Sequence, residues 1–285
     1  MDFLAPTTWP DALAAKAEHP EAVAIAGGTD LMVELNFDRR RPDVLLDLGR
    51  VGELTEWGTQ GGRLRIGAAV PYTRLISELG DRLPGLAMAS RTIGSPQIRN
   101  RATLGGNLGT ASPAGDAHPP LLAAGAAIEV ESAQRGVRQI PIREFFTGTK
   151  RNALAPDELI AAVILPAAPG PQQFAKVGTR NAMVISVCAF SLALDPHLRT
   201  VGTGIGSAGP TPLVADGAAR LAEGGLDWDG LGPADPDLLA EFGRLAGEAA
   251  QPIDDVRGTA AYRRRALGVL ARRTLTWAWE EHRCA

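Results

Sequence analysis

Ile25-Ala26-Gly27-Gly28-Thr29-Asp30, residues 25–30, closes an apolar run, Ala22 to Ala26, with two glycines and a polar pair able to start a helix. The run's length and the glycines after it read as a buried strand entering a tight turn. Downstream, Asp30 to Asn36 suits a helical turn and Asp43 to Leu48 a second strand, so the first fifty or so residues form a compact β-α-β unit. Glycines let a backbone approach an anion closely, and successive amide N–H groups at a helix start can donate to phosphate oxygens. A diphosphate would fit at Ala26 to Asp30. Taken alone the signal is weak, because a Gly-Gly turn followed by a Thr/Asp helix cap is a common structural device, and the residues match neither a Walker A loop nor a GxGxxG fingerprint.

A second glycine-rich stretch, Thr103-Leu104-Gly105-Gly106-Asn107-Leu108-Gly109-Thr110-Ala111-Ser112-Pro113-Ala114-Gly115-Asp116, begins some seventy-five residues later. Its small residues are expected to expose backbone amides, and Asn107, Thr110, Ser112 and Asp116 offer short hydrogen-bonding groups suited to a polyhydroxylated, phosphorylated ligand. The competing reading is a pair of tight turns, with Asp116 capping a helix that begins near Ala117. The motif lies in a long irregular stretch, Ile93 to Pro120, and such loops inside a compact domain generally bind something.

The remaining pattern divides the chain. Thr8 and Pro10 introduce a helix running through about Ala17. Leu64 to Val70 reads as a strand, Pro71 to Leu79 and Pro84 to Ala89 as helices, and Ala127 to Glu131, Val137 to Ile140 and Glu158 to Leu165 as strands. Pro166 to Pro171 looks like a linker. Beyond it come three strand candidates, Gln173 to Val177, Ile185 to Leu194 and Thr200 to Ser207. Helices follow at Ala215 to Glu223, Asp237 to Ala249 and Gly258 to Trp279, an order that indicates a separate α+β domain.

Composition excludes several function classes. The two cysteines, Cys188 and Cys284, are far apart and lack CxxC spacing, so no cysteine-ligated cluster is signalled in this chain. The four histidines are scattered singly, and no metal site is expected. A net charge of −3 argues against a nucleic-acid-binding surface. No apolar run reaches the roughly 20 residues of a membrane span, and Met1 to Pro10 lacks a basic segment followed by an apolar core. A reducing cytoplasm fits best. Arg263-Arg264-Arg265 with Arg272 and Arg273 is either a solvated helix face with acidic neighbours or a contact surface for a partner subunit. No Ser/His/Asp, Cys/His or carboxylate pair stands out as catalytic.

The motif AGGTDL at 26–31, the motif TLGGNLGTASPAGD at 103–116, Phe174 to Arg180 and the Tyr262-Arg263-Arg264 helix occur in one order. Together they resemble the FAD-binding medium subunit of the carbon monoxide dehydrogenase and xanthine dehydrogenase family of molybdenum hydroxylases, over nearly the whole chain. The resemblance implies an α+β fold: a vanillyl-alcohol-oxidase-like two-part FAD-binding domain, followed by a C-terminal α+β domain with a three-stranded antiparallel sheet and helices. It places these parts at 1–55, 56–170 and 172–285.

The family pattern further implies that Ala26, Gly27, Gly28, Thr29 and Asp30 surround the FAD diphosphate, with Val23, Ala24 and Ile25 leading in. Ala102, Thr103, Gly105, Gly106, Asn107, Thr110 and Ser112 would complete the cradle, and Asp116 would accept from ribose or ribityl hydroxyls. Ile93 and Ile160 match positions against the isoalloxazine ring. Lys176 matches a basic residue near it, where an ammonium would favour negative charge on reduced flavin. The implied role is electron transfer in a dimer of heterotrimers. A small subunit with [2Fe–2S] clusters would donate electrons to FAD, a large molybdenum-cofactor subunit would hydroxylate the substrate, and an external acceptor would reoxidise the flavin. Some relatives carry other polar residues after the glycines, which leaves the acceptor open. The alternatives are a self-contained FAD-dependent oxidoreductase of the related oxidase fold, and an anchoring subunit that has lost flavin.

Overall fold

The computed structural model describes residues 1–181 and 183–285. The chain forms two units, each built from separated stretches: Met1–Leu75, Gly94–Ala111 and Ala127–Leu165 in one, Ile76–Ile93, Ser112–Ala126 and Pro166–Ala285 in the other.

In the first unit, helix Trp9–Glu18 starts where Thr8 accepts a hydrogen bond from the Asp11 amide, with Pro10 in the first turn where its missing N–H is harmless. Lys16 of this helix is buried and donates to the carbonyls of Pro20 and Ala22 at 2.9 and 2.6 Å. It thereby fixes the approach to strand Val23–Ile25. That strand pairs in parallel with Val44–Asp47, as the β-α-β reading requires. The third strand of this sheet, Asp2–Leu4, pairs on the other side of Val44–Asp47 and was not anticipated.

The second sheet of this unit has five strands, ordered Trp57–Gln60, Arg63–Gly67, Leu159–Pro166, Ala127–Ser132 and Gly136–Pro141. Leu159 to Leu165 are all buried, which suits a central strand covered on both faces, whereas Ala127–Ser132 alternates. Glu158, 2% exposed, clamps this sheet. Its carboxylate accepts from Arg138 Nε at 2.7 Å, Arg138 Nη2 at 2.8 Å and the Ala155 amide at 2.7 Å.

The second unit carries the antiparallel sheet Gln172–Val177, Cys188–Asp195 and Thr200–Gly206. Helices Asp216–Gly225, Pro236–Glu248 and Ala260–Arg283 follow. Their core includes the fully buried Phe190 and Phe242, packed edge to face at 6.1 Å, and Trp279, whose indole N–H donates to the Gly232 carbonyl. Strand Thr200–Gly206 lets helix His118–Ala123 lie directly on its backbone: a Cβ at Gly202 would sit 1.8 Å from the Ala123 carbonyl oxygen, and one at Gly204 2.0 Å from that of Pro119.

The stretch from Ile93 to Pro120 is not the irregular loop expected. It holds helices Pro96–Arg101, Leu104–Thr110 and His118–Ala123. Ser95 and Thr103 cap the first two through their hydroxyls, and prolines occupy first-turn positions of the first and third. Glycine's low helix propensity hid the middle one. The expected strand start at Ile185 also moves, to Cys188.

The arginine run needs correcting too. Arg263 is buried, donating to the Ser207 carbonyl at 2.8 Å and pairing with Asp255. Only its neighbours are solvated.

The Arg138 guanidinium, followed by the Ala155 amide and Arg135, holds the Glu158 carboxyl below its ordinary value of 4.5 against the opposing effect of burial. A carboxyl depressed in the folded state stabilises the fold above its unfolded pKa and loses that contribution as pH falls through the folded value. Glu158→Gln should therefore lower stability by about 2 kcal/mol at pH 7. The difference between variant and wild type in denaturant titrations should begin to shrink below about pH 4.5.

Candidate functional site

Strand Val23–Ile25 delivers the chain to Gly27 and Gly28, and the turn is possible because Gly28 has φ +75°. Gly27 serves a different need. A Cβ there would lie 1.8 Å from the Arg101 carbonyl oxygen, so the first loop rests backbone to backbone on the segment that leads into the second glycine motif. Across that contact, helix Leu104–Thr110 starts at Thr103, and Gly105 lies on Ala68, where a Cβ would come within 2.7 Å of the Ala68 carbonyl oxygen. Gly27 and Gly105 are thus packing glycines.

Gly106 and Gly109 differ. Both are exposed; a Cβ on Gly106 would meet only the Thr103 hydroxyl, at 3.0 Å, and one on Gly109 only Ile160 Cδ1, at 3.9 Å. They leave an open, side-chain-free surface beside Ile160. The Thr110 hydroxyl lies 3.3 Å from Asp30 Oδ2 and 3.0 Å from the Gly106 carbonyl, bridging the two motifs.

A short hairpin, Phe146–Gly148 and Arg151–Asn152, fastens this arrangement. Asn152 Nδ2 donates to the Gly109 carbonyl at 3.0 Å and the Lys150 amide to Ala111 at 3.1 Å, closing the C-terminal end of helix Leu104–Thr110. The Lys150 ammonium also pairs with Glu34 of helix Leu31–Asn36 at 2.5 Å and holds that carboxyl below its usual range. Sequence reasoning missed this hairpin.

The backbone donors of the two motifs are used oppositely. In the second, the amides of Leu104, Gly105, Gly106 and Asn107 all bond internally, to Val70, Ala68, the Thr103 hydroxyl and the Thr103 carbonyl. The expectation that this motif exposes its amides fails at those four positions. In the first, the amides of Gly27, Gly28, Thr29 and Asp30 donate to no protein group among the described residues. Four consecutive N–H groups are thereby left without a protein acceptor, the kind of donor row that can hold an anion.

The candidates Val23 to Asp30, Ala102 to Thr110 and Ile160 therefore belong to the first unit, while Ile93, Ser112, Asp116 and Lys176 belong to the second. There Asp116 does not cap a helix, since His118–Ala123 follows Ala117 without a side-chain cap. Its carboxylate instead accepts from Lys176 Nζ at 2.6 Å and from the Thr92 hydroxyl at 3.4 Å on Oδ2, and from the Ser186 hydroxyl on Oδ1. Lys176 also donates to the carbonyls of Thr92 and Val184 at 3.2 and 3.3 Å. Both charges are close to buried, at 8 and 10% side-chain exposure. Burying such a pair is tolerable only because hydrogen bonds satisfy it. Thr92, Val184 and Ser186 lie outside any motif and carry no signal that sequence reasoning would have found.

Residues 1–168 match the FAD binding domain in molybdopterin dehydrogenase, and residues 174–278 the CO dehydrogenase flavoprotein C-terminal domain. The chain belongs to the FAD-binding medium-subunit family of the molybdenum hydroxylases. It is 35% identical over 226 residues to the xanthine dehydrogenase FAD-binding subunit of Escherichia coli O157:H7, covering 76% of this chain and 77% of that one. It is 32% identical to the nicotine 6-hydroxylase medium subunit of Paenarthrobacter nicotinovorans, over 97% and 96% of the two chains. Among solved structures, reconstituted CO dehydrogenase from Oligotropha carboxidovorans superposes with a TM-score of 0.90 at 27% identity, over 99% of this chain and 98% of that one. As a family member this chain is an FAD-binding oxidoreductase subunit, of the α+β class expected.

Cys188 and His118 are not disposed for catalysis. Burial pushes the Cys188 thiol up to about 12, which keeps it protonated, and His118 is fully buried with its ring against Gly115. Among the described residues no three or more His, Cys, Asp or Glu side chains are grouped to hold a metal ion, and no helix is long and apolar enough to cross a membrane.

The two kinds of glycine separate in a stability measurement. Gly27→Ala must displace the Arg101 backbone and should lower unfolding free energy by about 3 kcal/mol or more. Gly106→Ala should change it by less than about 1 kcal/mol. Equal losses in thermal denaturation would contradict the division.

Proposed function

We propose that this chain is the flavin relay of a heteromeric molybdenum hydroxylase, taking electrons from [2Fe–2S] clusters on a small partner chain and passing them to an external acceptor. The observation that carries the reading is the row of four uncommitted amides, Gly27 to Asp30, beside the side-chain-free surface of Gly106 and Gly109. Amides aimed outward stabilise phosphate oxygens without a basic side chain. The bare surface lets the diphosphate reach them.

In this reading Ala26 to Asp30 surround the diphosphate, the amides of Gly27 to Asp30 donating to it, approached through Val23 to Ile25, and the Asn107 side chain with Ala102, Thr103 and Thr110 borders it. The second motif takes part through its open glycine surface and side chains, because its amides at 104–107 are committed. Ile160, 8% exposed next to Gly109, supplies an apolar contact. Ile93, Ser112, Asp116 and Lys176 are assigned to the same cofactor. Lys176 acts there as half of an ion pair, so its effect on the flavin is that of a local dipole rather than an isolated positive charge. FAD, once bound, supplies one- and two-electron chemistry, and no acid, base or nucleophile of this chain is needed for it.

The division into 1–55, 56–170 and 172–285 is proposed as the functional one, the first two parts holding FAD. A large molybdenum-cofactor chain is proposed as third member, in a dimer of heterotrimers. A cytoplasmic location is part of the same proposal.

The purified chain should bind one FAD non-covalently, read by absorbance after gel filtration. Gly106→Val should keep the wild-type circular dichroism and melting temperature yet lose the flavin, since a branched side chain occupies the open surface. A flavin-free wild type that takes up no added FAD contradicts the function; normal occupancy in Gly106→Val contradicts only the placement. Co-purification of a cluster-bearing chain and a molybdenum chain tests the partnership, and full turnover by this chain alone would refute it.

A further inference from the structure

Helix Ala260–Arg283 presents a face to solvent that its own unit leaves uncovered. Tyr262, Val269 and Trp277 on it are 51, 37 and 48% exposed. At 3.6 residues per turn, Arg265, Arg272 and Arg273 fall among them on the same side, and all three are exposed. Exposed arginines on the neighbouring helix and at this helix's end have carboxylate partners, Arg244 with Glu241 and Glu248, Arg283 with Glu280. Arg265, Arg272 and Arg273 have none among the described residues. No Asp or Glu occurs from Tyr262 to Trp279.

The same face borders a groove. Helices Pro236–Glu248 and Ala260–Arg283 touch backbone to backbone, a Cβ on Gly243 falling 2.5 Å from the Gly268 carbonyl oxygen. Beside this crossing, Pro236 and Leu239 face Arg272, Arg273, Thr276 and Trp277 across a concave space of about 290 Å³. Tryptophan and arginine are the side chains most enriched where binding energy concentrates in protein interfaces.

We infer that this face docks a partner chain through a segment that carries carboxylates around an apolar side chain. The apolar side chain enters the groove against Leu239 and Trp277, and the carboxylates pair with Arg272 and Arg273. Charge selects this occupant over others. A two-fold dimer of this chain would set the arginines of one copy against those of the next, since a two-fold contact joins a patch to itself. A membrane surface fits poorly, because arginines interrupt the exposed apolar residues instead of leaving a continuous apolar band. The inference rests on the proposed function in one respect, that an iron–sulfur chain and a molybdenum chain assemble with this one; the acidic segment belongs to one of them.

The test uses this chain co-expressed with the iron–sulfur and molybdenum chains of its complex. Arg272→Glu/Arg273→Glu and, separately, Trp277→Ala should each weaken assembly at least tenfold by sedimentation or surface resonance. FAD content and melting temperature should stay at wild-type values. The charge-reversed variant should also show a smaller salt dependence of affinity. Arg220→Glu, an exposed arginine on another helix, should assemble normally. Unchanged affinity in both test variants overturns the inference while leaving the flavin-relay reading intact, whereas a wild-type chain that assembles with neither partner overturns both. Self-association of the isolated wild type that the charge reversal abolishes would make the occupant a second copy. Binding to phosphatidylserine vesicles, lost in the same variant with assembly intact, would make it a membrane; either result overturns the assignment.

Discussion

Gly27 against the carbonyl of Arg101 is the contact on which the candidate site depends. Two stretches of backbone meet there with no side chain between them. This closeness brings a turn at 27–30 beside a helix at 104–110, and it survives because Gly105 makes a matching approach to Ala68 and the hairpin at 146–152 ties the helix end down. Dispersion is lost steeply with separation, so a gap of even an ångström at such a contact would forfeit much of its attraction. Of the backbone donors in the two loops, those of Gly27 to Asp30 are left without a protein acceptor, while those of Leu104 to Asn107 are bonded internally.

The second unit uses the same device of close backbone approach at glycines. Gly202 and Gly204 seat helix His118–Ala123 on the sheet, and Gly243 with Gly268 brings two helices into backbone contact. Where it holds charge it satisfies it: Asp116 and Lys176 share hydroxyls and carbonyls from Thr92, Val184 and Ser186. Arg265, Arg272 and Arg273, which have no carboxylate partner among the described residues, stand on an outer face beside the exposed Trp277.

Much of this was legible in the sequence, for identifiable reasons. The run Leu159 to Leu165 and the alternation of Ala127 to Ser132 announce strands by periodicity, and Thr8 with Pro10 announces a helix start. Asp2–Leu4 was not legible, because three residues carry no period, and the same is true of the hairpin at 146–152. Helix Leu104–Thr110 was hidden by its three glycines. The positions of the two glycine motifs were readable, and the family with them. Which glycine faces a carbonyl and which faces open space was not, because that depends on Ala68 and Arg101, residues distant in sequence or unremarkable in type. The partners of Asp116 were beyond reach for the same reason.

In the proposed function the amides of Gly27 to Asp30 hold the FAD diphosphate, while those of 105–107 are spent inside the protein. Residue-resolved amide hydrogen exchange on the flavin-free and FAD-saturated chain measures this directly. The account predicts that Gly27, Gly28, Thr29 and Asp30 exchange freely without FAD and slow at least tenfold with it, and that Gly105, Gly106 and Asn107 are protected in both states. Free exchange at 27–30 in the saturated protein, or protection that appears only at 105–107, would contradict it.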